Sequence, residues 1–122
     1  MRDITGLILG LTFFIGGTCI THAMTFYTPN NGHSCGSWAV EHRVPSPVSA
    51  QLEAWALGVL TGWAQTLADM PNASPIESDI LKGTDHAAAL EWLNKYCADH
   101  PLDETIAAIA ELAKEIRRRR SN

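Results

Sequence analysis

Two cysteines constrain the possible folds of this chain more than any other pair of residues. One of them lies on the apolar face of a predicted helix. Four residues recur at three- and four-residue steps, which places them on one helical face: Trp92, Leu93, Tyr96 and Cys97. Cys97 therefore points into the same core as the large side chains. Cys35, near Trp38, is the only other cysteine after residue 23. We expect a disulfide between Cys35 and Cys97 that joins the first predicted helix to the third.

The first 23 residues have the pattern of a secretory signal peptide. Arg2 precedes an uncharged stretch over residues 4–20, and Ala23 completes a cleavage pattern of small residues. We expect cleavage near Ala23, a mature periplasmic domain of residues 24–122, and no stable membrane insertion after cleavage. A retained anchor is one alternative, since the uncharged stretch approaches the length that spans a bilayer. Lipid attachment at Cys19 is the other.

Charge and composition narrow the function classes. The chain has 122 residues, which suits one mature domain, and its formal net charge is −4 at pH 7. Four arginines at residues 117–120 form one run near the C-terminus. The basic residues do not form a stripe with interleaved aromatic residues, so the composition argues against a nucleic-acid-binding protein. An even number of mature cysteines in an exported domain also favours a disulfide.

Apolar periodicity predicts an all-α domain of four helices, and no β pattern competes with it. The predicted helices span residues 34–43, 49–69, 85–98 and 101–119, and together with the Cys35–Cys97 disulfide they would form one small domain. Ser34 is the predicted N-cap of the first helix, and Thr84 or Asp85 that of the third. Asp99 or His100 would cap the fourth helix, with Pro101 in its first turn and Leu102 in its buried stripe.

Two glycines, Gly58 and Gly62, lie one turn apart in the second predicted helix. Each costs about 1 kcal/mol of helix propensity relative to alanine. We therefore expect another helix backbone or a bulky tryptophan to approach them closely.

The residues that resemble catalytic or metal-binding motifs do not form a site. Residues 32–36 match G-x-S-x-G, but that motif requires a strand before it and a large parallel sheet. We expect Ser34 to be a helix cap instead. Cys35 with His33 or His42 lacks a third metal ligand at a recognisable spacing. The sequence thus predicts no catalytic residue, no metal ligand and no cofactor.

The segment between the second and third predicted helices is the predicted partner-binding surface. It mixes apolar and charged residues: Asp79, Ile80, Leu81, Lys82 and Asp85. Exposed loops of this kind often carry function. A turn followed by a helix cap is the alternative interpretation, and the composition leaves open whether residues 76–81 are helical.

Three short motifs carry a resemblance to a known family. Cys35 and Trp38 lie near the mature start, Trp55-Ala56-Leu57-Gly58 precedes Gly62, and the segment 92–97 precedes His100-Pro101-Leu102. This arrangement is similar to the Rap/Tai immunity proteins, which protect bacteria from type VI secretion effectors. Those proteins commonly carry extra cysteines that this chain lacks. The resemblance implies a non-enzymatic periplasmic protein that binds and neutralises a partner protein, such as a toxin or effector.

A looser resemblance is to the HdeA-type acid chaperones, which are also small, periplasmic, helical and held by one disulfide. The tryptophan-threonine-cysteine opening of that family is absent, since Ser37 and Trp38 follow Cys35. This resemblance implies an unfolded client as the partner and activity at low pH, where histidines gain charge and carboxylates lose it. Neither resemblance transfers a functional residue, and the sequence leaves open whether the protein forms an oligomer.

Overall fold

The computed structural model describes residues 34–122, which form four α-helices. They are α1 (Cys35–Glu41), α2 (Pro47–Ala68), α3 (His86–Asp99) and α4 (Thr105–Ser121), with a short 3-10 turn at Glu77–Asp79. Over this range no strand is present, and an isolated β-bridge pairs Ser34 with Glu104. The predicted all-α, four-helix domain is confirmed. The predicted leader, its cleavage near Ala23 and Cys19 lie outside the described residues.

The core is built from one apolar face of each helix. In α2, Leu52, Ala56 and Leu60 follow one another at four-residue steps and are all buried, as an amphipathic helix requires. Half-buried tryptophans of α2 and α3 pack against this core. None of the helices between residues 34 and 122 has both the length and the apolar character needed to cross a membrane.

The predicted disulfide is present and fixes α1 to α3. The Cα atoms of Cys35 and Cys97 are 4.5 Å apart, and both side chains are fully buried. Backbone hydrogen bonds hold the same end of α1 to the connection between α3 and α4. The N–H groups of Cys35 and Gly36 donate to the carbonyls of Asp103 and Pro101 at 2.8 and 2.9 Å. The first N–H groups of a helix have no partner within the helix. The connection between α3 and α4 therefore caps α1.

Gly36 is required for this close approach. A Cβ atom at this position would lie 3.1 Å from the carbonyl oxygen of Pro101, which is backbone and cannot rotate away. A larger residue here would require α1 and this turn to move apart by a few tenths of an ångström.

The start of α2 differs from the prediction by two residues. Pro47 is its first residue, where the missing N–H of proline costs nothing. Ser46 is the N-cap: its hydroxyl accepts from the N–H of Ser49 at 3.1 Å, and the Ser49 hydroxyl accepts from the N–H of Ser46 at 2.9 Å. This reciprocal pair is a capping box, which explains why the helix begins before Ser49.

The predicted start of α4 is wrong. Helix α3 continues to Asp99, a turn follows, and α4 begins at Thr105 with Glu104 as its N-cap. Neither Asp99 nor His100 caps α4, and Pro101 is outside it. The physical reason is tertiary, since the carbonyls of this turn accept hydrogen bonds from α1 and are held out of a helix. Leu102, which was expected in the buried stripe, is 95% exposed.

The expectation for Gly58 and Gly62 is also wrong. A Cβ atom on either glycine would meet no atom within 4 Å outside the backbone of α2, and both residues are exposed. No other described helix packs closely against this face of α2.

Candidate functional site

The predicted partner-binding segment lies between α2 and α3, and its apolar residues face inward. The 3-10 turn Glu77–Asp79 packs against α2, and the next residue, Ile80, is 1% exposed and belongs to the core. The expectation of an exposed Ile80 is therefore wrong. Leu81 is half-buried and also packs against the core. These two residues anchor the segment to the domain.

The charged residues of the segment remain at the surface. Asp79, Lys82 and Asp85 are all exposed. Asp85 is the N-cap of α3, and its carboxylate accepts from the N–H groups of Ala87 and Ala88 at 2.7 and 3.3 Å. The sequence predicted Thr84 or Asp85 as this cap, and the structure has Asp85.

The four residues Lys82, Gly83, Thr84 and Asp85, which we call the Lys82–Asp85 edge, have a fixed backbone. The N–H of Lys82 donates to the carbonyl of Asp79 at 3.1 Å, and the N–H of Thr84 donates to that of Leu81 at 2.8 Å. Gly83 has a φ of +78°, a left-handed conformation that glycine adopts without steric cost. These turns and the Asp85 cap give the edge a defined shape.

Two depressions flank the Lys82–Asp85 edge. The first, of about 230 Å³, lies toward α3 and the end of α4, where Trp92, Arg119 and Arg120 line it. The second, of about 270 Å³, lies toward α2, where Leu57 and Thr61 line it. Thr84 and Asp85 line both depressions. The edge therefore separates two hollows that side chains of another molecule can enter.

Arginine–carboxylate pairs order the end of α4 next to the first depression. Glu115 accepts from Arg118 Nε at 2.9 Å and from Arg119 Nε at 2.7 Å. These hydrogen bonds, with that of Arg118 the larger, lower the pKa of Glu115 to about 2. The ion pairs of Glu115 with Arg118 and Arg119 at the C-terminal end of α4 therefore persist well below pH 4.

We expect the oxidised domain to keep its tertiary structure from pH 7 to about pH 4, and to lose the stabilisation by the Glu115 ion pairs between about pH 4 and pH 2. A carboxylate with a lowered pKa in the folded state stabilises the fold above its unfolded pKa, which is about 4.3 for glutamate. That contribution is lost as the pH falls toward the folded value, which for Glu115 is about 2. Near-ultraviolet circular dichroism and hydrophobic-dye binding of residues 24–122 between pH 7 and pH 2 measure this.

The control for this measurement is Glu115→Gln, which removes the titrating group and should flatten the change in stability between about pH 4 and pH 2. If the tertiary signal of the wild-type protein disappears near pH 4 and dye binds reversibly, the expectation is wrong. Such a result would favour the acid-chaperone interpretation.

The residues that matched catalytic motifs have structural partners. The Ser34 hydroxyl accepts from the N–H of Ser37 at 3.1 Å, so Ser34 is the N-cap of α1 as predicted. His42 Nδ1 lies 2.7 Å from the carbonyl oxygen of Trp38, and His42 Nε2 lies 3.4 Å from a carboxylate oxygen of Glu53. Among residues 34–122, no group of three or more His, Cys, Asp or Glu side chains is placed to hold a metal ion. His33 lies outside the described residues.

The sequence did not reveal that Trp92, Arg119 and Arg120 lie beside the loop. It placed Trp92 on a core face and the arginines in a C-terminal run. A usable signal was present, because Arg119 and Arg120 follow Ile116 at steps of three and four residues and so continue the buried stripe of α4 to the surface.

The fold and the site define the class of this protein as a small all-α domain with one disulfide and a loop edge whose backbone is held by turn hydrogen bonds. The chain matches no family model, no curated protein and no solved structure with significance.

Proposed function

We propose that this protein is a non-enzymatic periplasmic binding protein that neutralises a partner protein by covering its functional surface, in the manner of immunity proteins. The single observation that carries the proposal is the Lys82–Asp85 edge, which has three exposed residues, a backbone held by turn hydrogen bonds and a hollow on each side. An edge of this shape can enter a cleft of a toxin while side chains of the toxin fill the hollows.

The rigidity of the edge supports tight binding. Association costs free energy for every side chain and loop that becomes ordered, and a surface ordered beforehand avoids that cost. Here the edge is held by its own turns, by Ile80 in the core and by the Asp85 cap of α3. The disulfide between Cys35 and Cys97 holds α3 in turn, and it suits an oxidising compartment such as the periplasm.

The chemistry of the surrounding surface also suits a protein partner. Tryptophan and arginine are enriched among the residues that dominate protein–protein binding energies. Trp92 and Arg119 line the first depression beside Lys82. Lys82 and Asp85 add charges of both signs, which favour one orientation of the partner.

The test uses the oxidised protein, residues 24–122, and candidate effector proteins encoded by neighbouring genes. Isothermal titration calorimetry gives the affinity, and an assay of the effector gives its inhibition. We expect one-to-one binding, loss of effector activity, and a tenfold or greater loss of affinity for Lys82→Glu, which reverses a charge on the edge.

Lys95→Glu is the matched control, because Lys95 is exposed on α3 and lines neither depression. Its affinity should equal that of the wild-type protein. An effector that binds but stays active would contradict neutralisation. Equal affinities for Lys82→Glu and the wild-type protein would place the interface elsewhere.

A further inference from the structure

An apolar groove between α2 and α4 lies apart from the Lys82–Asp85 edge. It has a volume of about 620 Å³, and none of the four edge residues lines it. Trp63 on α2 and Ile106 on α4 belong to its walls. Pockets for small ligands typically measure about 300–1,000 Å³ and combine an apolar lining with a few polar groups. The groove has both properties.

The glycine whose role the fold left unexplained belongs to this groove. Gly62 lines it, and no atom lies within 4 Å of the position that a Cβ would occupy. The missing side chain therefore leaves space along α2.

The charged residues that line the groove are both basic. They are Lys114 and Arg117, one turn apart on α4. Each is paired with a carboxylate that does not line the groove, Glu111 for Lys114 and Glu77 for Arg117. The arrangement is complementary to a molecule with a long apolar body and an anionic end.

Both cations remain able to bind an anion. Lys114 Nζ pairs with Glu111 at 2.6 Å, but the lysine side chain is 71% exposed, and exposed ion pairs of this kind are weak. Arg117 Nη2 donates to Glu77 at 2.6 Å, and a guanidinium has further N–H donors.

We propose that the groove binds a long-chain fatty acid, with its acyl chain between α2 and α4 and its carboxylate at Lys114 and Arg117. From Ile106 to Arg117 the groove runs about 16 Å along α4, at 1.5 Å per residue. The acyl chain covers the apolar walls beside Trp63 and the bare backbone at Gly62. This site does not depend on the protein-binding function proposed for the edge.

The test is equilibrium dialysis and calorimetry of the oxidised protein with laurate, myristate and palmitate, each below its micelle concentration. We expect one-to-one binding that tightens about twofold to fourfold for each added methylene, the upper value being that of a fully buried group. Lys114→Gln should weaken laurate binding about fivefold and leave the binding of dodecanol, which has no charge, unchanged.

Two leucine substitutions in α2 form a matched pair. Gly62→Leu fills the groove and should lower palmitate affinity tenfold or more, while Gly58→Leu, one turn earlier and outside the groove, should leave it unchanged. A Cβ atom at either position would meet no neighbouring atom within 4 Å, and both substitutions replace glycine in a helix. Both variants should therefore fold with melting temperatures at or above that of the wild-type protein.

Several outcomes would overturn the proposal. They are the absence of saturable binding, an affinity independent of chain length, and equal affinities for Gly62→Leu and Gly58→Leu. A dimer in sedimentation equilibrium that Gly62→Leu dissociates, together with no palmitate binding, would show that a second copy covers the groove. None of these results changes the effector experiment, so the two proposals can fail separately.

Discussion

Removal of the disulfide is expected to lower the free energy of unfolding by about 4 kcal/mol. Cys35 and Cys97 are 62 residues apart in sequence, and in the chain-entropy model a loop of that length restricts the unfolded state by about this amount. A domain of this size has a total stability of about 5–15 kcal/mol. The double variant Cys35→Ala/Cys97→Ala should therefore unfold at a much lower urea concentration than the oxidised protein.

Urea titration followed by tryptophan fluorescence measures this loss, and reduced wild-type protein is its control. The reduced protein and the double variant should have similar midpoints, because both lack the same cross-link. A loss below about 1 kcal/mol would contradict the expectation. It would mean that the hydrogen bonds from Cys35 and Gly36 to the α3–α4 turn hold α1 without the disulfide.

The first helix should respond most to reduction. Helix α1 has seven residues, too few to be stable alone in water. Its attachment includes the disulfide, the capping carbonyls of the α3–α4 turn, and the burial of Trp38 with its hydrogen bond to Asn94. The exported compartment that the sequence predicts would thus be a condition for keeping this helix in place.

The features predicted correctly from the sequence depend on local chemistry. Ser34 and Asp85 are caps because a short polar side chain before an apolar run satisfies the free N–H groups of the helix that follows. The pairing of Cys35 with Cys97 followed from two cysteines that each lie on an apolar helix face. Such signals require no knowledge of the rest of the fold.

The features predicted incorrectly depend on contacts between distant segments. Pro101 has a favourable residue type for a helix start, but the N–H of Gly36 in α1 takes its carbonyl as an acceptor and keeps it in a turn. Ile80 follows charged residues and resembles part of an exposed loop, but the 3-10 turn before it packs on α2 and directs it inward. Sequence spacing carries no information on either contact.

Only part of the candidate site was predicted, because the rest of it depends on contacts between distant segments. The location of the Lys82–Asp85 edge follows from local composition, because a glycine beside charged residues marks a surface turn. The hollows on its two sides are formed by α2, α3 and α4 together. Their existence depends on how these helices pack, which periodicity alone does not determine.

Substitution of Trp38 by alanine is expected to lower the free energy of unfolding by about 3–5 kcal/mol, the usual cost of removing a buried tryptophan. Trp38 is 1% exposed and is the largest fully buried side chain in the described range. Its ring stacks on His42 with centroids 4.1 Å apart, and its Nε1 donates to Asn94 Oδ1 at 2.8 Å. One side chain thus joins α1 to α3 through apolar packing and a hydrogen bond.

Trp55→Ala is the matched control, because Trp55 is only half-buried and should lose clearly less stability in the same urea titration. A double-mutant cycle of Trp38→Phe with Asn94→Ala isolates the hydrogen bond, for which we expect a coupling of about 0.5–1.5 kcal/mol. Zero coupling would mean that Trp38 stabilises the α1–α3 contact by its volume alone. Equal losses of unfolding free energy for Trp38→Ala and Trp55→Ala would contradict the central place of Trp38 in the core. The more buried tryptophan would then contribute no more stability than the half-buried one.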